Sequence, residues 1–473
     1  MLSHSRFVEY ILIAIACALV LFFSSYRLFE SPETWMDEGL IMQSAQGLLE
    51  TGKASLPVAP GVFEPAWYIT TGFPLTLPLA GVFSVFGVSL EAARLVMLVF
   101  LLAFYVVLFI YARQAVGGLA AWLGFFLLVF FAPIYGNGRN VLGEIPGLLF
   151  MLLALLPLIG GRELSRRKAL WVGVGTGLAV ATKPIFVLLI PALLLALLLR
   201  REIGLKKVFI FGVLGSILPL AFFVVTQFSH VSFANILALY VNPHDLPILD
   251  VVWSNGKRLV MELQPLYFLS ALVLWIISYI VRRLRRETIS VTEEVLLFFS
   301  VLILVAYMRT AGYYRYFFPG QVLALLYLPH TLWYLFGQRS VLFSRVVIVS
   351  LCALILFQAY ETATRSWVAV HYHATRTESL KKYFAALPPE QEIFIYQAPE
   401  VAPFAAGRPM YQYVEITPSI RTGEQYRHMV QTGAAPFVIT TNNMFSLGTS
   451  TIFMHYVFDK NFDDYVVLVS KDH

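Results

Sequence analysis

Apolar runs that approach or reach the width of a bilayer recur along most of this 473-residue chain, and they leave few architectures open. They fall near residues 7–28, 92–112, 117–133, 145–160, 169–182, 184–199, 208–228, 265–281, 294–308, 317–336 and 345–363, which makes eleven candidate spans. Several are shorter than the roughly 20 residues that cross a bilayer squarely, and the two runs that meet at Lys183-Pro184 read equally well as one long broken helix. A hydrophobic fraction of 59%, a charged fraction of 13% and a mean hydropathy of +0.74 exclude a soluble globular chain of this length. The first run has only His4 and Arg6 as basic flank and no small-residue cleavage site before Ser24, so it reads as a retained helix and not a signal peptide.

Loop charges give an independent handle on orientation. With a cytoplasmic N-terminus, the inner loops hold Arg162, Arg166, Arg167 and Lys168, then Arg200, Arg201, Lys206 and Lys207, then Arg282, Arg283, Arg285 and Arg286. All the dense basic clusters then share one side, as the positive-inside rule requires, and the net charge of +6 suits topology better than nucleic-acid binding. The loops 29–91 and 229–264, and everything after Thr364, lie outside on this reading. Cys17 and Cys352 both sit within apolar runs, so no disulfide framework is implied.

From about Arg365 the pattern changes. Helix-like Glu378 to Ala386 and Glu424 to Gln431 alternate with strand-like Ile393-Phe394-Ile395-Tyr396, Phe437-Val438-Ile439-Thr440 and Tyr465-Val466-Val467-Leu468-Val469. The expected organisation is therefore a polytopic α-helical membrane domain over 1–364, with a large first outer loop at 29–91, followed by a small extracytoplasmic α/β domain over 365–473.

Charges beside apolar helices are costly, by roughly 2.5–3.5 kcal/mol on insertion scales, so each invites a functional reading. After the first run comes Glu33-Thr34-Trp35-Met36-Asp37-Glu38-Gly39. Asp37 opens an amphipathic run in which Leu40, Ile41, Ala45, Leu48 and Leu49 oppose Gln43, Ser44, Gln46 and Glu50, stopped by Gly52, which predicts a helix along the membrane surface. A purely structural reading has Asp37 cap this helix and Glu38 complement its dipole; a chemical reading makes the pair an active carboxylate site. Arg139 and Glu144 flank a short outer turn, where snorkelling and dipole logic compete with function. Lys183 either snorkels or meets a lipid phosphate. In Arg309-Thr310-Ala311-Gly312-Tyr313-Tyr314-Arg315-Tyr316 two guanidinium groups are interleaved with tyrosines, as suits a phosphate grip at an apolar border or an interfacial belt. Glu144, and His244, Asp245 and Asp250 after Asn242-Pro243, are weak candidates for metal ligation, although Asn-Pro is first of all a turn signal.

Taken together these residues resemble a family. The Asp37-Glu38 pair, Pro65-Ala66-Trp67-Tyr68-Ile69-Thr70-Thr71-Gly72, Leu77-Pro78, Phe86-Gly87-Val88 ahead of Arg94, Arg139 with Glu144-Ile145-Pro146, Gly177-Leu178-Ala179 with Thr182-Lys183-Pro184, and Arg315-Tyr316 with Pro319 are similar to motifs of the GT-C membrane glycosyltransferases. The bacterial branch related to protein O-mannosyltransferases and lipid A aminoarabinose transferases is the nearest pattern, over roughly residues 7–340. The resemblance implies an enzyme of the inner membrane that takes sugar from a polyprenyl-phosphate donor and passes it, at the outer face, to a lipid, glycan or protein acceptor. It implies Asp37 as catalytic base, with Glu38 its neighbour in the acidic pair and Glu144 in place of a more usual aspartate. Arg139 and Arg315 match phosphate-contacting positions, which Lys183, Arg309 and Tyr316 would join. No cofactor is demanded; a divalent cation is compatible with carboxylates from two outer loops. A non-catalytic lipid-sugar binding protein would keep the arginines without needing Asp37, and a transporter would place its charges near mid-membrane.

Overall fold

The computed structural model describes residues 2–160, 165–200, 203–228, 231–232, 234–236, 247–310, 312–417, 420–448, 452–462 and 464–472. The apolar runs form a bundle whose helices are α1 (Leu2–Ser25), α2 (Met36–Thr51), α3 (Phe73–Phe86), α4 (Leu90–Ala115), α5 (Gly118–Val129), α6 (Ala132–Arg139), α7 (Glu144–Leu155), α8 (Arg166–Thr182), α9 (Leu189–Arg200) and α10 (Ile203–Phe228). It continues with α11 (Ile248–Met261), α12 (Leu263–Leu284), α13 (Val291–Tyr307), α14 (Phe318–Leu332) and α15 (Val341–Thr364).

Among the described residues five helices are long and apolar enough to cross a membrane alone: Phe7–Ser25, Leu90–Ala115, Lys206–Phe228, Leu263–Leu284 and Val341–Val370. The pair α5 and α6, bent by 57°, makes a sixth. Eleven spans are therefore not reached by length and composition. The other apolar runs fold as helices of 12 to 17 residues, α7 and α9 being the shortest and α8 and α13 the longest. A 12-residue helix rises only about 18 Å, well short of a hydrocarbon core of about 30 Å. At Lys183-Pro184 the chain breaks: α8 ends at Thr182, and a 3-10 turn over Pro184–Leu188 leads into α9.

The helix expected after Asp37 forms and ends where expected, at a left-handed Gly52 whose N–H bonds Leu48 O. It does not lie open on a surface. Leu40, Ile41 and Ala45 are buried with Leu75, Leu79, Ala93 and Met97 of α3 and α4, and the opposed Gln43 and Ser44 are buried too. What covers the polar side is the C-terminal domain. Gln43 donates to Pro399 O at 2.8 Å and accepts from Gln412. Gly39 meets the main chain there, since a Cβ at this position would lie 2.3 Å from Glu400 Cα. The first half of the polar stripe, Gln43 and Ser44, thus faces protein, whereas toward the end of the helix Glu50 and the nominally apolar Leu49 are both exposed.

The C-terminal domain carries α16 (Arg376–Ala386), α17 (Arg427–Gln431) and α18 (Asn442–Gly448) around a mixed six-stranded sheet. After a small hairpin in the first loop, β1 (Ser55–Ala59) and β2 (Val62–Pro65), its strands are β3 (Ile393–Tyr396), β4 (Met410–Thr417), β5 (Ile420–Thr422), β6 (Phe437–Thr441), β7 (Tyr456–Phe462) and β8 (Tyr465–Ser470). The sheet order is β5-β4-β3-β6-β8-β7. β3 pairs in parallel with β4 and β6, and the outer pairings are antiparallel. Val414 and Ile420 join the same apolar core as α2, α3 and α4, so the domain is packed onto the bundle and not tethered beside it.

Candidate functional site

At the end of the bundle under the C-terminal domain lies a cleft of about 430 Å³. One wall is the start of α2, with Trp35, Met36, Asp37, Leu40 and Ile41. A second is the 68–71 stretch with Lys183, a third is Tyr313, Arg315 and Tyr316, and β4 closes it with Ile416 and Thr417. Another cavity of about 360 Å³, between α1, α4 and α5, has no charged side chain in its lining.

Each charge in the cleft is placed by local chain chemistry. Asp37 sits in the first turn of α2 but does not cap it: the N-cap is Trp35, in extended conformation and without a side-chain capping bond. The capping reading of Asp37 is thus overturned. Its carboxylate instead pairs with Arg315 Nη1. Arg315 occupies a 3-10 turn, Tyr314–Tyr316, that follows a left-handed Gly312 and precedes α14, where Pro319 is accommodated in the first turn. α11 fastens this loop, since Arg258 donates to Gly312 O at 2.6 Å and Asn255 to Thr310 O at 2.8 Å. The rings of Trp35, Tyr313 and Tyr316 surround the guanidinium, with centroids 5.1, 5.5 and 5.4 Å from Cζ. Burial works to lower the pKa of Arg315, but Asp37, Glu144 and Tyr316 outweigh it and raise the pKa above the ordinary arginine value, so the group stays charged. Its Nε is buried without a hydrogen-bond partner among the described residues.

Lys183 is the second cation. As the residue before Pro184 it is held extended (φ −150, ψ 118), which turns it out of α8 and into the cleft. Nζ lies 3.4 Å from Glu144 Oε1 and 3.4 Å from Thr71 Oγ1. Glu144 begins α7 and is buried, and its Oε2 has no partner among the described residues. Gly143 packs so tightly on this break that a Cβ would meet Thr182 O at 2.9 Å.

Three expected site residues are elsewhere. Glu38 points away from the cleft and forms a fully buried, two-pronged pair with Arg94: Nε to Oε1 at 3.0 Å and Nη2 to Oε2 at 2.9 Å. Val141 N–H also donates to Glu38, and Arg94 reaches Leu28 O and Asn140 Oδ1, so the group ties α2 and α4 to two loops. Both carboxylate oxygens are thus held by Arg94, and Glu38 does not line the cleft. Arg139 likewise does not line the cleft. It is buried and donates to Phe23 O at 3.1 Å and Tyr26 O at 2.6 Å, where α1 ends with carbonyls that lack helical partners. Arg309 is exposed and does not line the cleft. Tyr316 is brought in as expected, whereas Trp35, Thr71 and Tyr313 were not singled out.

The metal reading has little to stand on. His244 and Asp245 lie outside the described residues, and Asp250 is exposed in the first turn of α11. Among the described residues no three His, Cys, Asp or Glu side chains converge. The two carboxylates at the cleft are each matched by a cation, so the donor set fits two ion pairs and not a divalent-metal cradle, which wants several free oxygens.

The comparisons with known proteins support a GT-C fold for this helical membrane bundle. Residues 75–226 match the model of the dolichyl-phosphate-mannose-protein mannosyltransferase family. Its structure is similar to that of ArnT from Cupriavidus metallidurans bound to undecaprenyl phosphate, with a TM-score of 0.63, 12% identity and 97% of each chain covered. The apo state of the same protein matches with a TM-score of 0.63, 13% identity and 98% of each chain covered. At such identity the likeness is one of fold. No curated protein sequence is significantly similar to the chain.

Proposed function

We propose that this protein transfers a sugar from a polyprenyl-phosphate donor to an acceptor hydroxyl at the outer face of the membrane, with Asp37 as general base. The observation that carries the proposal is the Asp37–Arg315 pair itself: a carboxylate and a guanidinium from loops 278 residues apart meet in an aromatic-lined cleft. The likeness in fold to a protein seen with undecaprenyl phosphate supports the choice of donor.

The acceptor oxygen attacks the anomeric carbon as the bond from that carbon to the phosphate oxygen breaks. The bonding electron pair stays on the phosphate, and the acceptor proton goes to Asp37. Arg315 and Lys183 neutralise the charge that grows on the leaving phosphate. A guanidinium has five N–H donors, so Arg315 can grip phosphate while one arm still orients Asp37, and its unpartnered Nε is a donor available for this. Glu144 keeps Lys183 in place. A single base acting opposite the leaving group inverts the anomeric centre; retention by double displacement would need a carboxylate nucleophile.

The test is transfer by purified, reconstituted protein from a panel of radiolabelled polyprenyl-phosphate sugars, with Asp37→Asn beside the wild type. Turnover should fall roughly 10²–10⁴-fold in the variant, while donor binding and thermal stability persist. Wild-type-like transfer by Asp37→Asn would move the base to Glu144. Donor binding without transfer by the wild type would leave a lipid-sugar binding protein.

A further inference from the structure

We infer that Arg376, in the C-terminal domain, is a positioning residue that holds the Glu33–Trp35 segment and so sets where Asp37 stands. The role of Asp37 rests on the function proposed above; the geometry around Arg376 does not. Arg376 opens α16 and is only 4% exposed. Its Nη1 lies 2.9 Å from Glu33 Oε2 and also pairs with Asp464, while Nη2 donates to Thr34 O at 3.1 Å. The guanidinium stands 5.2 Å from the centre of the Tyr465 ring. On the other side, His371 Nε2 approaches Glu33 Oε2 at 3.4 Å.

The held segment leads directly into the site. Thr34 O is one residue before Trp35, whose ring packs on Arg315, and three before Asp37. Because α2 starts without a side-chain cap, no capping bond fixes how the chain approaches it. The forked contact from α16 does so, gripping one side chain and one carbonyl of the loop at once. A lysine could keep the charge toward Glu33, but its single ammonium lacks the planar fork.

Arg376 is also not what seats the domain. That is done farther along α2 and the first loop, by Gly39 against Glu400, Gln43 with Pro399, Gln412 with Gln43 and Pro57, and Tyr68 with Thr422. Loss of Arg376 should therefore free the loop beneath a domain that stays docked.

The full-length chain is compared as wild type, Arg376→Gln, Arg376→Lys and Gln412→Ala, by hydrogen–deuterium exchange, melting and sugar-transfer kinetics. Arg376→Gln should speed exchange of the 33–38 amides about tenfold and leave protection of β4 unchanged. Its kcat should fall about 10–100-fold with little change in donor KM, because the base is displaced while the cations remain. Arg376→Lys should recover part of the loss. Gln412→Ala should lower the melting temperature and leave kcat per folded molecule unaltered. Unchanged exchange at 33–38 in Arg376→Gln overturns the inference, as does a parallel loss of stability and kcat in Arg376→Gln and Gln412→Ala. If Arg376→Gln does not fold, Glu33→Ala removes the side-chain half of the same contact from the loop side and is read in the same way. If the wild type transfers no sugar, the proposed function fails, and exchange alone decides the place of Arg376.

Discussion

At the end of the bundle away from the cleft, Glu294 receives Arg200 on one oxygen and Arg283 and Tyr279 on the other, while Glu293 receives Arg282 and the Trp275 indole N–H. At the cleft end Asp37 and Glu144 meet one cation each, and an Arg315 nitrogen and a Glu144 oxygen are left over. The residue types are the same. The difference is how many donors hold each carboxylate: at the far end two or three donors grip each one and close helices on each other, whereas at the cleft each meets a single cation. Glu38 shows that the distinction can change within one residue, because it belongs with the multiply held set although Asp37 precedes it.

The hardest challenge to this contrast is Glu38→Gln. Removing one charge of the closed pair strands Arg94 in the core and should cost about 3–5 kcal/mol, read as a large drop in melting temperature. Unimpaired stability combined with lost transfer would place Glu38 among the catalytic groups after all.

A smaller effect is expected on the open side. Arg315→Ala should weaken binding of a polyprenyl phosphate by about 1.5–3 kcal/mol while a neutral polyprenol binds as before, since only the phosphate uses the charge. Equal losses for both ligands in a direct binding assay would reduce Arg315 to an interfacial anchor.

Glu400 sharpens the comparison from a third position, unsaturated yet closed. Tyr465 donates to its Oε1 at 2.8 Å, and Oε2 is buried without a partner among the described residues. Burial pushes its pKa up, against the downward pull of its hydrogen bonds and of Arg376. A carboxyl raised in the folded state contributes stability that is fully present below its unfolded value and is lost as pH rises through the folded one. Glu400→Gln should therefore melt higher than the wild type at neutral pH, with the gap closing in acid. A gap that does not vary with pH would show that folding leaves the Glu400 pKa unshifted.

Much of the fold was legible because burial leaves a strong pattern. The β-branched and aromatic runs at Ile393, Phe437 and Tyr465 became the inner strands β3, β6 and β8. Among the strands not anticipated, two have mixed composition: β4 carries Gln412 and Glu415, and the edge strand β7 carries Asp459, Lys460 and Asn461 on exposed positions. Within the site, Asp37, Arg315, Tyr316, Lys183 and Glu144 were picked out as charges or rings beside apolar runs and do come together. Glu38 and Arg139 gave the same signal for another reason, namely that a buried loop junction and an uncapped helix end also require charge. Helical spacing shows that a stripe is polar, not whether water, ligand or another domain will face it, and so the burial of Gln43 was out of reach.

The meeting of Gly39 with Glu400 has a geometric corollary. Two main chains touch there with no side chain between them, so the spacing acts as a fixed gauge that drift of neighbouring residues cannot alter. The same domain carries Ile416 and Thr417 over the mouth of the cleft, across from Tyr313 and Tyr316. One methyl group at position 39 would wedge the contact and tilt that roof, so the opening of the cleft is calibrated by an atom the chain leaves out.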